Sequence, residues 1–282
     1  MNIQRKPEWL RKKVPAGDQA AMRGLLSELR LNTVCQQARC PNISECFGCG
    51  QATFLILGKD CTRQCSFCNV DKAQAPQPPD TEEPRRVAEA VLRLKLSHVV
   101  VTSPTRDDLT DGGAGNYAAT VSAIRSVCPE TTIELLVPDF GGDHASLATV
   151  LAAQPAILAH NLETVPRLYA VRNGADYRRS LDLLQEAAGS APTISTKSGI
   201  MLGLGEELDE VRAVMQDLRR VGCSFLSLGQ YLSPSRHHQP VVAYLEPQVF
   251  DRLGEEARAL GFTHVESGPY VRSSYHAADY HE

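Results

Sequence analysis

Residues 53–68 read TFLILGKDCTRQCSFC: an apolar run that breaks at Gly58 and then delivers Cys61, Cys65 and Cys68 within eight residues. Further apolar runs follow at 98–102, 132–137, 156–159, 193–196 and 224–228, with a possible last one at 263–265. Between them lie stretches of helical period at 84–96, 116–127, 144–153, 177–188, 207–221 and 247–260. Pro84 and Pro247 fall where the first turn of a helix tolerates proline. This alternation predicts an α/β fold with a parallel sheet covered by helices, in six strand–helix units. Six units with right-handed crossovers can curl into an open barrel or lie flat as a doubly wound sheet, and periodicity does not separate the two. In either, ligands bind at the carboxyl ends of the strands, which is where the three cysteines sit.

The rest of the composition narrows the function. With 282 residues and 43% hydrophobic content, the chain can bury a sizeable core. Its 29 basic and 33 acidic residues give a net charge of -4 without a long run of either sign, so no phosphate backbone is an expected partner. No apolar stretch approaches the ~20 residues of a membrane span. The opening residues lack the apolar middle of a secretory signal, and Pro7, Glu8 and Pro15 interrupt any amphipathic transit helix. The expected setting is the cytoplasm, without nucleic acid or membrane.

Nine cysteines are many for such a chain, and in a reducing compartment they read as metal ligands or catalytic thiols rather than disulfides. Seven lie between Cys35 and Cys68, whereas Cys128 and Cys223 sit in apolar surroundings and read as core residues. Structural zinc takes four protein ligands, often as two close pairs, but Cys61, Cys65 and Cys68 offer three with no fourth nearby. Three thiolates suit a cubane 4Fe-4S cluster that leaves one iron open to a substrate. Upstream, Cys35, Cys40 and Cys46 follow C-x4-C-x5-C, again three thiols and not a zinc-finger spacing. Cys49 adds a C-x2-C pair with Cys46 that leaves a different ligand set open.

The C-x3-C-x2-C spacing resembles the signature of radical S-adenosylmethionine (radical SAM) enzymes. Combined with the upstream triplet and the terminal RSSY at 272–275, the chain resembles the lipoyl synthase family within them. The likeness runs almost the full length, through KPEWLR (6–11), CPNISEC (40–46), TSPTRDDLTDGG (102–113), LLVPDF (135–140), HNLET (160–164), TKSGIMLGLGE (196–206), GQYLSPSRHH (229–238) and GPYVRSSYHA (268–277). Departures are small: Gln36 and Phe47 stand where the family often has Glu and Trp, and Cys49 is an addition.

The resemblance implies a partial (β/α)6 TIM-type barrel at 51–268, after a cysteine-rich extension (1–50) and before a short tail (269–282). It implies two 4Fe-4S clusters and S-adenosylmethionine as cofactors. Cys61, Cys65 and Cys68 would hold the cluster that binds S-adenosylmethionine, with Phe67 beside its adenine. Cys35, Cys40, Cys46 and Ser274 would hold an auxiliary cluster that is consumed as sulfur donor, with Arg272 beside it and Ser273 as the alternative ligand. The implied reaction inserts sulfur at carbons 6 and 8 of a protein-bound octanoyl-lysine. Its partners would be octanoylated lipoyl domains of 2-oxo acid dehydrogenase complexes or the glycine cleavage H protein, and an electron donor such as ferredoxin or flavodoxin.

Supporting residues are expected on the other strand-end loops. Thr102 and Ser103, followed by Arg106 and Asp107, offer groups for the amino acid portion of the cofactor. Asn161 and Glu163 offer bonds to ribose hydroxyls. Lys197 is expected just past the fifth strand, with Gly199, Gly203 and Gly205 allowing close backbone approach. Gln230, Tyr231, Arg236, His237 and His238 are read as substrate or cofactor contacts after the sixth.

Overall fold

The computed structural model describes residues 6–11 and 19–278. Most of the opening segment weighed as a transit peptide, and the last four residues of the tail, lie outside these. Before the barrel come α1 (Ala20–Glu28), the two-residue strand β1 (Asn32–Thr33) and the short helices α2 (Val34–Gln37) and α3 (Ile43–Gly48). Then follow β2 (Thr53–Leu55), β3 (Asp60–Cys61), β4 (Asp71–Lys72), α4 (Glu83–Leu94), β5 (His98–Thr102), α5 (Ala114–Val127), β6 (Thr132–Leu136) and α6 (His144–Ala152). The chain continues through β7 (Ile157–Ala159), α7 (Tyr177–Ser190), β8 (Ser195–Leu202), α8 (Leu208–Arg220), β9 (Phe225–Gln230), α9 (Pro247–Ala259) and β10 (His264–Gly268).

The main sheet runs β1-β2-β5-β6-β7-β8-β9-β10, parallel throughout except for β1, which pairs antiparallel with β2. Strand order follows chain order with no reversal. A doubly wound sheet needs a point where the order reverses, so the arrangement is the partial barrel: six β/α units plus a seventh parallel strand. Local sequence sets the helix starts. Asp143 and Asp176 cap α6 and α7 by accepting from the amides of Ser146 and Arg179, and Glu207 with Glu210 forms a capping box on α8. On the outside, Val211, Val214, Met215 and Leu218 of α8 are buried at helical spacing against the sheet.

Several boundaries differ from the sequence reading, three of them for a plain physical reason. Leu57 leaves the first strand with φ of 67°, so β2 ends at Leu55. The fifth strand does not stop at Thr196 but runs to Leu202, placing Lys197 and Gly199 within β8. Those polar and small residues break the apolar run in sequence, yet the barrel gives them partners: Lys197 Nζ lies 3.0 and 3.1 Å from the two oxygens of Glu134, both side chains being almost wholly buried. Likewise β9 reaches Gln230, whose amide holds Leu202, Tyr231, Ala243 and Leu245 together. Cys223 is fully buried and Cys128 packs against the core, as read from sequence.

Candidate functional site: two cysteine pockets joined by the tail

The loop after β2 is fastened at many points. Its start forms the β3–β4 ladder, Thr62 N–H bonds Thr105 O at 3.0 Å, and Ser66 N–H bonds Val171 O at 2.9 Å. Arg63, between the first two cysteines, is buried; it binds both oxygens of Asp107 at 2.8 Å and donates to Asp139 Oδ1 at 2.6 Å. Asp139 in turn accepts from Arg179 at 2.8 Å, and these cations hold its carboxyl well below the usual carboxylate range despite burial. Arg63, Asp139 and Arg179 were missed from sequence. The only signal was an aspartate directly past a strand end, in VPDF.

Burial pushes the Cys65 thiol up to about 11, with the charges of Cys68 and Cys61 adding to the shift, and burial raises Cys68 too. The three thiols therefore feel one another, and ligation of a metal must displace their protons. Among the described residues, no three His, Cys, Asp or Glu side chains close on one point as a single ion needs. Thiolates of a cubane sit on separate irons and have no such requirement. Phe67 is half-buried on the same loop.

Across from this loop lie the residues after β7. Asn161 Nδ2 donates to Glu163 Oε1 at 3.1 Å and to Ser273 Oγ at 2.6 Å, while Asn161 Oδ1 is buried with no protein partner. Glu163 takes φ of 65°, a left-handed conformation costly for a non-glycine residue, and is held there by backbone bonds to Gly199 and Met201. Burial raises the Glu163 carboxyl, and its charge reaches Cys68. A strained residue beside an unpaired buried oxygen is a cradle for a polar ligand. The donor set therefore fits an open-iron cluster with a hydroxylated or amino ligand alongside.

The other expected contacts divide. Thr102 Oγ1 donates to Leu136 O at 2.8 Å and Ser103 Oγ accepts from Tyr117, so both sit at the end of β5 with bonds of their own. Arg106 is spent on Asp108 and Leu57 O, and Asp107 on Arg63; these charges build the loop rather than face a ligand. Lys197 is a correction: it lies inside the barrel on Glu134, not on a loop. Gly199 is another, since a Cβ there would lie 2.7 Å from Ser227 Oγ, 2.9 Å from Asn161 Oδ1 and 3.2 Å from Ser273 Oγ. Its missing side chain makes room for the tail. Tyr231 bonds Gln239 O, Arg236 and His237 are exposed, and His238 bonds Ser235 Oγ.

The second pocket is lined by Cys35, Cys40, Cys46, Thr53, His98, Val100, Arg272, Ser274 and Tyr275 among others. Cys49 is exposed and does not line it. The tail is held over this pocket by hydrogen bonds that include Asn42 Nδ2 to Tyr270 O (2.7 Å), Thr53 Oγ1 to Ser274 Oγ (2.8 Å) and Tyr275 OH to Glu45 Oε1 (3.1 Å), while Asn161 Nδ2 holds Ser273 on the other side. Gly229 permits this entry, because a Cβ on it would lie 2.2 Å from Val271 O. The two neighbouring serines thus point different ways, Ser274 into the cysteine pocket and Ser273 toward Asn161. Three thiols and one hydroxyl around one pocket fit a second cubane. Asn69 Nδ2, 2.6 Å from Gln37 O, ties the two cysteine segments to each other.

Residues 55–218 match the radical SAM superfamily. The chain is 83% identical over 280 residues to a lipoyl synthase of Trichlorobacter lovleyi, covering 99% of this chain and 100% of that protein. It is 65% identical over 280 residues to a lipoyl synthase of Geobacter sulfurreducens, covering 99% and 92%. Among solved structures, methylornithine synthase aligns with a TM-score of 0.56 at 14% identity, covering 90% of this chain and 82% of that one. Streptococcus suis SuiB bound to S-adenosylmethionine aligns at 0.57 and 10% identity, covering 82% and 54%. The chain belongs to the lipoyl synthase family of the radical SAM superfamily.

Proposed function

We propose that this chain inserts two sulfur atoms, at carbons 6 and 8, into the octanoyl group of an octanoyl-lysine on a carrier protein, and that its two cysteine pockets divide the work. The observation that carries the reading is the gathering of Cys35, Cys40, Cys46 and Ser274, from opposite ends of the chain, around one pocket. Cys61, Cys65 and Cys68 hold the cluster that, when S-adenosylmethionine is bound to it, supplies the electron for cleavage to methionine and a 5'-deoxyadenosyl radical. When S-adenosylmethionine is bound, Phe67 would lie by adenine, Asn161 and Glu163 would bond the ribose hydroxyls, and Thr102 and Ser103 would border the amino acid portion. The sulfur is substrate, held by Cys35, Cys40, Cys46 and Ser274 at the second pocket.

In this organisation residues 1–50 carry the sulfur site, 51–268 the radical site and 269–282 the tail that spans them. Ser274 would be a weak iron ligand beside the thiolates, and its hydroxyl would give the cluster it helps hold one labile position. Arg272 lies by Cys40 and stabilises negative charge there. The barrel wall supplies position and keeps water from a carbon radical. Octanoylated lipoyl domains of 2-oxo acid dehydrogenase complexes or the glycine cleavage H protein are the carriers, ferredoxin or flavodoxin the electron donor, and the cytoplasm the setting. None of the described helices is long and apolar enough to cross a membrane.

Anaerobic reconstitution tests this directly. About eight irons per chain, 5'-deoxyadenosine and a doubly thiolated octanoyl-lysyl peptide are expected with reductant and S-adenosylmethionine. Ser274→Ala should still cleave S-adenosylmethionine yet lose most sulfur insertion. Tight zinc without cleavage sinks the enzymatic reading, and unchanged product from Ser274→Ala removes its role.

A further inference from the structure

Ser273 and Ser274 are adjacent in the chain and bonded to opposite sites. Ser274 meets Thr53 at 2.8 Å in the sulfur pocket, and Ser273 meets Asn161 at 2.6 Å beside Glu163. Consecutive residues share one planar peptide, so a backbone displacement at one is passed to the other. The surroundings leave little slack. Ser273 Oγ stands 3.2 Å from where a Cβ of Gly199 would be, and Val271 O is packed onto Gly229. Asn161 spends its amide nitrogen on Glu163 and Ser273 together, so the Ser273 hydroxyl helps decide how Asn161 presents its buried, unpaired Oδ1.

We propose that Ser273 is a positioning residue that couples the two cofactor sites: the state of the Cys35–Cys40–Cys46–Ser274 pocket sets the affinity for S-adenosylmethionine through Ser273 and Asn161. The inference rests on the ligand assignment proposed above and goes beyond it. With the sulfur site loaded, Ser274 is held at the iron, the tail is fixed, and Ser273 locks Asn161 in its binding orientation. With the site empty, the tail lacks the anchor at the iron and Asn161 loses part of that support. The device weakens binding of S-adenosylmethionine, and so makes radical formation less frequent at low cofactor, where no sulfur is ready to meet the radical. Coupling between two binding sites is reciprocal, so bound S-adenosylmethionine also favours the loaded sulfur pocket.

A double-mutant cycle on the anaerobically reconstituted full chain tests this, with iron counts on each variant and the Kd for S-adenosylmethionine by equilibrium dialysis. Cys40→Ala should drop the count from about eight irons to about four. It should also weaken S-adenosylmethionine binding about fivefold, the size of one lost hydrogen bond. Ser273→Ala should keep about eight irons and bind as weakly as Cys40→Ala. In the double variant Cys40→Ala should add less than about a twofold effect, because the linkage is already cut. Ser273→Thr, which keeps the hydroxyl, should restore the dependence. An equal effect of Cys40→Ala with and without Ser273 overturns the coupling, as does no effect of Cys40→Ala at all; both leave the ligand assignment standing. A Cys40→Ala chain that retains about eight irons instead removes the ligand assignment, and the coupling with it.

Discussion

The two cysteine segments differ in how they are held. The loop of Cys61, Cys65 and Cys68 is fastened to the barrel it grows from, by a two-strand ladder, by backbone bonds to Thr105 and Val171, and by buried Arg63 on Asp107 and Asp139. The pocket of Cys35, Cys40 and Cys46 is completed by a separate piece of chain, the tail at 270–275, whose half-buried Tyr270, Ser274 and Tyr275 bond Asn42, Thr53 and Glu45. A site that must keep its geometry through many turnovers is built into the scaffold. The second pocket is closed by a segment distant in sequence, which suits the role proposed for it as the site whose contents are spent and replaced.

Disturbing the tail alone should separate the two sites most sharply. Gly229→Ala drives a methyl against Val271 O and displaces Ser274 from the pocket. Thiolated peptide, measured by mass spectrometry, should fall by more than about a hundredfold, while 5'-deoxyadenosine formation stays within about tenfold of the parent. Equal loss of both products breaks the comparison.

On the scaffold side, Asp139→Ala takes one of two carboxylates from buried Arg63, which keeps Asp107, and should cost about 1.5–3 kcal/mol in urea unfolding of the metal-free chain. A cost under about 1 kcal/mol shows that the loop does not depend on this anchor.

The pH dependence sharpens the same point. His160, bonded to Val137 O and Ser180 Oγ, is lowered to about 4 by burial and the nearby Arg172 charge, against the opposing pull of Val137 O and Asp139. Between pH 4 and about 6.5 the unfolded chain binds the proton and the folded one does not, so stability rises with pH across that window. The His160 share is up to about 3 kcal/mol, and His160→Gln should flatten the rise in metal-free chain; an unchanged slope contradicts it. The smallest effect belongs to the tie between the segments: Asn69→Ala should cost about 1 kcal/mol, read from the same unfolding curves.

The strand–helix alternation was legible because outer helices and parallel strands carry plain apolar periodicity, as in α8 and β5, whereas its closure into a partial barrel was implied only by the family resemblance. The cysteine triplets were legible because thiols at fixed short spacings have few other uses. What escaped was the inside of the barrel. Lys197 and Glu134 lie 63 residues apart and each breaks an apolar pattern, so neither reads as a strand interior until the other is in place. Gly199 and Gly229 read as loop glycines or nothing, although each makes room for the tail. The direction of Ser273 against Ser274 is likewise set by Asn161 and Thr53, remote residues that no local pattern connects.

The division of labour is tested most directly by comparing Cys65→Ala with Cys40→Ala in one anaerobic assay that measures 5'-deoxyadenosine and thiolated peptide together. Cys65→Ala should make neither product, whereas Cys40→Ala should make 5'-deoxyadenosine and no thiolated peptide. Thiolated peptide from Cys40→Ala, or 5'-deoxyadenosine from Cys65→Ala, would contradict the assignment of the two pockets.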